Sequence, residues 1–411
     1  MKWGSEQDAA LTAVAEWMRN PDQQVFRLFG YAGTGKTTLA KSFAEGVEGQ
    51  VLFGAYTGKA AHVLKQKGCV GARTIHSLIY HNKEHARSHI KEMELDLAEL
   101  MVELRQDGFD DEAIARHANV RALREKLDEE RGKLARPMFA LNPDSDVKRA
   151  KLVVIDECSM VDGQMGQDLL SFGCKVLVLG DPAQLPPVGG AGFFTEGVKP
   201  DVMLQDIHRQ AGDNPIIAMA TRVRNGQTLD LGAYGNSSVI DRKDIRQDDV
   251  MNAGQVLVGR NATRHASNKR LRTLLGFEGD GIPEADDKLV CLRNNNDLGL
   301  LNGSLWRVEE VGHIGGETCH MTIRPEEGGS EQELEAHMHY FQGRADKLGW
   351  WEKKDAQEFD YGYALTCHKA QGSQWDNVIV FDESWVFRQD KHRWLYTAIT
   401  RAAEQVTVVR M

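Results

Sequence analysis

The chain has 411 residues, more than one hydrophobic core normally serves, which points to two to four domains. Its 41% hydrophobic and 27% charged content is that of a globular protein, and no run approaches the roughly 20 apolar residues of a membrane span. A net charge of −10, from 60 acidic and 50 basic residues, excludes a uniformly basic nucleic-acid-binding surface but leaves room for a local basic groove. The start, Met1-Lys2-Trp3-Gly4-Ser5-Glu6, has no apolar signal core, so a cytoplasmic location is expected. The 6 cysteines are scattered without a Cys-x-x-Cys pair, which indicates neither a zinc site nor a disulfide framework.

Val25 to Phe29 reads as a buried strand, and a glycine loop follows it. Val51 to Tyr56 is a second strand, with a helix around Lys59 to Lys67 after it. Residues 81 to about 135 interrupt the alternation. Ile90, Met93, Leu97, Leu100 and Leu104 stand at helical spacing, and Leu123 to Leu134 continues the pattern, so amphipathic helices are expected. Pro137 to Leu141 leads into Asn142-Pro143-Asp144-Ser145, read as the turn of a short hairpin. Lys151 to Ile155 and Lys175 to Leu179 are two more apolar strands, and Gln255 to Gly259 another. Short apolar strands separated by helices imply a parallel sheet covered on both faces. Residues 286 to about 345 differ: Leu289 to Leu292, Gly303 to Val308 and Met321 to Ile323, with Asn- and Gly-rich turns, read as a small antiparallel barrel. From Tyr361 the α/β pattern returns and ends in the strand Gln405 to Val409.

The first strand and its loop carry the sharpest signal. Gly30-Tyr31-Ala32-Gly33-Thr34-Gly35-Lys36-Thr37 stands between a strand and a helix opening with Thr37-Thr38-Leu39-Ala40. This is a phosphate-cradling loop in its required context. Gly30 and Gly35 let the backbone turn so that its N–H groups converge on phosphate oxygens. Lys36 supplies a cation for the β- and γ-phosphates, and Thr37 a hydroxyl for Mg²⁺. Asp156 and Glu157 then close a buried strand, where unpartnered carboxylates are rare. In a phosphate-loop protein the first fits Mg²⁺ and the second the activation of water. After the next strand, Gly180-Asp181-Pro182-Ala183-Gln184-Leu185-Pro186-Pro187 places a neutral Gln184 on a proline-stiffened loop, where it can report a γ-phosphate.

These blocks, in this order, resemble a superfamily 1B DNA helicase of the RecD-like or Dda-like branch over nearly the whole chain. Gln7 matches that family's adenine-reading glutamine. Ala55 to Ala61 matches motif Ia, and Ala72 to Ser77 matches motif Ib. Asp156-Glu157-Cys158-Ser159-Met160 is motif II, with Cys158 where the family usually has Ala. His208-Arg209-Gln210 matches motif IV, Tyr363 to Ser373 motif V, and Tyr396 to Ala402 motif VI with its arginine finger, Arg401.

The resemblance implies two RecA-like parallel-sheet domains with two insertions. Domain 1A would be 1–80 with 150–200, domain 1B with a duplex-splitting pin 81–149, domain 2A 201–285 with 356–411, and an SH3-like domain 2B 286–355. ATP and Mg²⁺ would be handled by Gln7, Gly30, Gly33, Thr34, Gly35, Lys36, Thr37, Thr38, Asp156, Glu157, Gln184, Gly372 and the two arginines Arg209 and Arg401. Thr57, Lys59, Arg73, Thr74, His76, Thr366, His368 and Lys369 would face single-stranded DNA. Met138 and Phe139 are candidates for the pin's contact with bases, and Phe139 is as readily a packing residue. Trp350 and Trp351, beside Lys353 and Lys354, could stack bases or serve a core. The expected activity is ATP-driven 5′→3′ translocation and unwinding by a monomer in a bacterial or phage-infected cell. Its partners would be single-stranded and forked DNA, with single-strand-binding or replication and recombination proteins beside them and no membrane. Two other readings stay open: an ATP-driven DNA-binding remodeller, and a RecD-like component of an ATP-dependent exonuclease without nuclease activity of its own.

Overall fold

The computed structural model describes residues 3–80, 93–94, 96–97, 100–101, 104, 109–135, 141–187, 190–205, 214–278, 281–295, 297–348 and 356–411. Two compact units emerge, one of Met1–Thr74 with Ala150–Met411, the other of Ile75–Arg149.

In the larger unit, strands β1 (Val25–Gly30), β2 (Val51–Ala55), β3 (Arg73–Thr74), β4 (Leu152–Asp156), β5 (Lys175–Gly180) and β6 (Val202–Leu204) form one all-parallel sheet in the order β3-β2-β4-β5-β1-β6. Leu152 to Ile155 and Val176 to Gly180 are buried on both faces, which is why these strands read as unbroken apolar runs. The helix Lys36–Glu45 opens at Gly35, held in the left-handed region at φ 79°. Thr57 starts the helix Gly58–Gln66 by accepting the Ala60 N–H on its hydroxyl, an ordinary N-cap. Strand β6 was expected in the second domain. It pairs instead with β1, and Glu6 accepts the Gln205 N–H, so the first sheet extends past residue 200. Three residues are too short a run for periodicity to assign to either sheet.

The remaining strands are β7 (Gly232–Tyr234), β8 (Ser237–Asp241), β9 (Gln255–Val258), β10 (Lys288–Cys291), β11 (Leu305–Gly315), β12 (Thr318–Pro325), β13 (Gln332–His337), β14 (Phe359–Tyr361), β15 (Ala364–Thr366), β16 (Trp375–Asp382) and β17 (Ala402–Arg410). Of these, β15-β9-β16-β17-β8-β7 is a second sheet, parallel except at its β7–β8 edge. The order β13-β12-β11-β10-β14 is an antiparallel five-stranded sheet. It recruits β14, beyond the expected boundary at residue 355. A buried ionic seam ties this sheet to the helix Asn261–Leu274: Arg264 meets Asp360 at 2.6 Å, and Arg272 meets Asp287 at 2.8 Å. Asp287 also accepts from the Tyr363 hydroxyl at 2.8 Å.

The smaller unit is helical, with Ile75–Ile79, Asp111–Arg116 and Ala118–Ala135, and a small core of Leu104, Ile114 and Val120. The turn at Asn142–Ser145 is present, with the Ser145 N–H on the Asn142 carbonyl at 3.1 Å. The chain then winds into a 3-10 turn, Asp146–Arg149, instead of a returning strand, and Leu141 bridges Tyr80. The Asn142 side chain accepts the Asp144 N–H and the Ser145 hydroxyl accepts the Val147 N–H, both at 3.1 Å, local bonds that favour the turn over a ladder. Met138 and Phe139 lie outside the described residues. No described helix is long and apolar enough to cross a membrane.

Candidate functional site

The loop between β1 and the helix Lys36–Glu45 puts Gly33 and Gly35 at φ 81° and 79°, a conformation that costs an L side chain roughly 1–2 kcal/mol. Gly30 is needed for a different reason. A Cβ there would stand 2.6 Å from Thr34 Oγ1 and 2.9 Å from Leu204 Cβ, so the close approach of β6 forbids it. Lys36 Nζ donates to the carbonyls of Gly30 at 2.7 Å and Tyr31 at 3.0 Å. Gln7 is buried beside the loop. Its Oε1 accepts from Gly4 N–H at 3.1 Å and its Nε2 donates to the Thr34 carbonyl at 3.2 Å.

A cavity of about 400 Å³ opens beside this loop, between the two parallel sheets. Gly33, Gly35, Lys36, Thr37 and Thr38 line it from the first sheet, with Asp156 and Glu157 at the end of β4 and Gln184 after β5. Gly372, Ser373, Thr400 and Arg401 line it from the second. Among the described residues, Thr37 donates to Asp156 Oδ2 at 2.8 Å, and the other Asp156 oxygen accepts the Glu157 N–H at 2.8 Å. Glu157 is held at φ 50°, an uncommon conformation for a side chain of this kind and one that clusters at working sites. Burial pushes its carboxyl above the usual range, against the pull of Arg401. Gln184 is buried, and its Oε1 has no hydrogen-bond partner among the described residues.

Arg401 is almost wholly buried. It donates to the carbonyls of Thr397 at 3.1 Å and Ser373 at 3.3 Å and to the Thr400 hydroxyl at 3.3 Å. Those neutral acceptors fix the guanidinium without cancelling its charge. Arg209 lies outside the described residues. Gly372 has φ 78°, and a Cβ there would stand 3.0 Å from Ala60 Cβ across the gap between the sheets.

A second groove, about 440 Å³, is lined by Thr57 and Lys59, by Val290, Leu292 and Gly303 of the antiparallel sheet region, and by His368 and Lys369. Burial lowers the His368 imidazole below its usual range and, with the Arg264 charge, brings Lys369 down to about 8. Lys59 is ion-paired with Glu327 of the turn after β12. Thr366 is buried and accepts the Lys369 N–H at 3.4 Å on its hydroxyl, so it shapes this loop without lining the groove. Arg73 and Thr74 sit on edge strand β3 and do not line the groove, and His76 belongs to the smaller unit. Trp350, Trp351, Lys353 and Lys354 lie outside the described residues.

A family model described as an AAA domain matches residues 3–244, and one described as a UvrD-like helicase C-terminal domain matches residues 361–409. The chain belongs to the AAA domain family. It is 28% identical over 279 residues to the ATP-dependent RecD2 DNA helicase of Deinococcus radiodurans, an alignment covering 62% of the chain and 35% of that protein. It is 25% identical over 439 residues to the conjugal transfer protein TraA of Rhizobium radiobacter, covering 98% of the chain and 32% of TraA. The chain therefore spans about a third of the length of these two relatives. In fold it is similar to the Pif1 helicase from Bacteroides in complex with ADP-AlF3 and ssDNA, with a TM-score of 0.53, 18% identity, and coverage of 99% of this chain and 92% of that one.

Two residues just behind the cavity lining, Asp181 next to Gly180 and Tyr396 bonded to Ala32, had no role expected from sequence. Asp181 follows β5 directly, as Asp156 closes β4, an acid at the end of a buried strand, and it is itself 1% exposed. Tyr396 reaches it from the other sheet at 2.5 Å. The signal for Asp181 was present in the sequence, whereas nothing local marks Tyr396 as more than a core aromatic.

Proposed function

We propose that this protein is an ATP-driven DNA helicase that translocates 5′→3′ on single-stranded DNA and separates duplex ahead of it. The observation that carries the reading is the shared cavity: Lys36 and Glu157 from one parallel sheet and Arg401 from the other line the same space. In this reading the two parallel sheets are RecA-like domains 1A and 2A, residues 75–149 are domain 1B, and the antiparallel sheet is an SH3-like domain 2B. The naming of a relative as an ATP-dependent DNA helicase, and of a neighbour in fold as bound to ADP-AlF3 and ssDNA, supports it.

ATP would lie with its phosphates on the amides of residues 33–38. Lys36 would exchange its two loop carbonyls for phosphate oxygens, which bind a cation more strongly. Thr37 and Asp156 offer hard oxygen donors 2.8 Å apart beside the loop. That pair suits Mg²⁺, which takes few protein ligands and completes its shell with phosphate and water. A bound magnesium ion would offset phosphate charge there. Glu157, raised by burial, is the better base for water because its proton affinity approaches what the task needs. Arg401 would meet charge developing on the γ-phosphate. Gln184, with its unpartnered carbonyl oxygen, would sense that phosphate and the attacking water.

Arg401 and Gly372 stand on the second sheet while the phosphates rest on the first. Binding would therefore tighten the contact the two sheets already make and hydrolysis would relax it, a two-state device. The groove lined by Thr57, Lys59, His368 and Lys369 spans the same two sheets, so opening and closing would move a DNA strand held there. The test is steady-state ATP hydrolysis with and without single-stranded DNA, in wild type and Lys36→Ala. DNA-stimulated turnover that vanishes in the variant is expected. Turnover retained in a folded Lys36→Ala protein would overturn the assignment.

A further inference from the structure

The phenol of Tyr396 joins three pieces of the ATP site that the chain keeps far apart. Its hydroxyl donates to Asp181 Oδ2 at 2.5 Å and accepts the Ala32 N–H at 3.1 Å. Asp181 follows β5, Ala32 is in the phosphate loop, and Tyr396 stands on the helix Lys391–Ile399 just before Arg401. A hydroxyl has one donor and two acceptor sites, so both bonds form at once. Burial and the Asp181 charge push the phenol well above its usual range, which keeps the proton on it and the donor role intact. Tyr396 and Asp181 are 2% and 1% exposed, so water cannot replace either partner. Two further contacts cross at the same place. Arg224, from the second sheet's side, lies over the Tyr31 ring with its guanidinium carbon 3.4 Å from the centroid. Thr397 accepts the Leu185 N–H at 3.0 Å on its hydroxyl.

We propose that Tyr396 is a positioning residue for ATP hydrolysis: its hydroxyl locks the helix that carries Arg401 onto the phosphate loop and Asp181, and so sets the depth at which the arginine enters the site. This rests on the ATP-hydrolysing reading above for its effect on rate, but the clamp itself is a contact between the two sheets. Phe in its place keeps the ring packing and removes only the two hydrogen bonds. It also leaves a buried Asp181 oxygen short of its donor, and that penalty is felt in full inside a protein. The helix would then settle with Arg401 displaced, and small displacements of a catalytic group are expensive in rate.

The experiment has two arms on the full chain. In the first, kcat and KM for ATP are measured in wild type, Tyr396→Phe and Asp181→Asn. Tyr396→Phe should lower kcat roughly tenfold with KM within about twofold. Asp181→Asn, whose amide oxygen still accepts from the hydroxyl, should lose less. In the second, the native cysteines being buried, spin labels are placed at the exposed Lys65→Cys and Asn377→Cys positions, one beside each sheet, and their separation is measured without nucleotide. Wild type should give one narrow distribution and Tyr396→Phe a broader, longer one. A kcat for Tyr396→Phe within twofold of wild type, or identical distance distributions, overturns the proposal. A wild type without ATPase defeats the functional reading, and the distance arm still decides the clamp.

Discussion

If the second groove holds DNA as proposed, Lys369 gives it a pH dependence that an ordinary lysine would not. Lys369 lines the groove, and burial, reinforced by the Arg264 charge and opposed by Asp360 and Glu358, brings its amine down to about 8. A phosphate binds only the charged form, and a bound phosphate would return the amine toward the ordinary value of about 10.4. On a value of about 8, about nine-tenths of the free protein carries the charge at pH 7 and about one-tenth at pH 9. In the complex the charge is nearly complete throughout. Linkage then weakens DNA binding by about tenfold from pH 7 to 9. The sign follows from the direction of the shift: a lowered amine loses its proton, and its affinity for an anion, as pH rises through its free-state value. Fluorescence anisotropy of a labelled single strand at fixed salt reads this directly. Lys369→Arg should flatten the profile, because a guanidinium stays charged. An equal slope in that variant, or a flat wild-type profile over pH 7 to 9, would refute the reasoning.

Glu157→Gln should bind nucleotide as wild type does and lose turnover by about 10² or more, the ordinary contribution of a general base, in paired binding and ATPase assays. Because burial raises the folded-state carboxyl, the charged form costs stability above that raised value and nothing at acid pH, where both states are protonated. The amide variant should therefore unfold at higher temperature than wild type near neutrality, with the gap closing toward the acid end. Arg401→Ala should retain ATP affinity and lose turnover by about 10³ or more, checked by single-turnover hydrolysis. Asp360→Ala strands Arg264 in the buried seam and should lower stability by about 3–5 kcal/mol in a urea titration.

The phosphate loop, the Asp156–Glu157 strand end and the longer strands β1, β2, β4, β5, β9 and β17 were legible because each rests on a local rule. Glycine permits the φ of 81° and 79° at Gly33 and Gly35, and a strand covered on both faces reads as an apolar run. What escaped the sequence depends on distant partners. Strand β6 is three residues long and is placed by β1. Strand β14 joins the antiparallel sheet through pairing with β10, 68 residues or more away along the chain, from Cys291 to Phe359. Of the hairpin expected around Asn142–Ser145, the turn is present because its chemistry is local, the following segment winds into Asp146–Arg149 while Leu141 bridges Tyr80, and residues 136–140 lie outside the described residues. The reading of Gly30 named the correct residue for an incomplete reason, because the neighbour that forbids a side chain there, Leu204, is remote in sequence. Tyr396 is the extreme case, since its two hydrogen bonds are made to residues 364 and 215 positions away.

Strand separation on tailed duplexes tests the central claim most directly. A labelled duplex bearing either a 5′ or a 3′ single-stranded tail is mixed with the protein, and displaced strand is followed with and without ATP. The account predicts ATP-dependent separation of the 5′-tailed substrate, little on the 3′-tailed one, and none with Lys36→Ala. DNA-stimulated ATP hydrolysis without strand displacement from either substrate would contradict it and leave an ATP-driven DNA remodeller in its place.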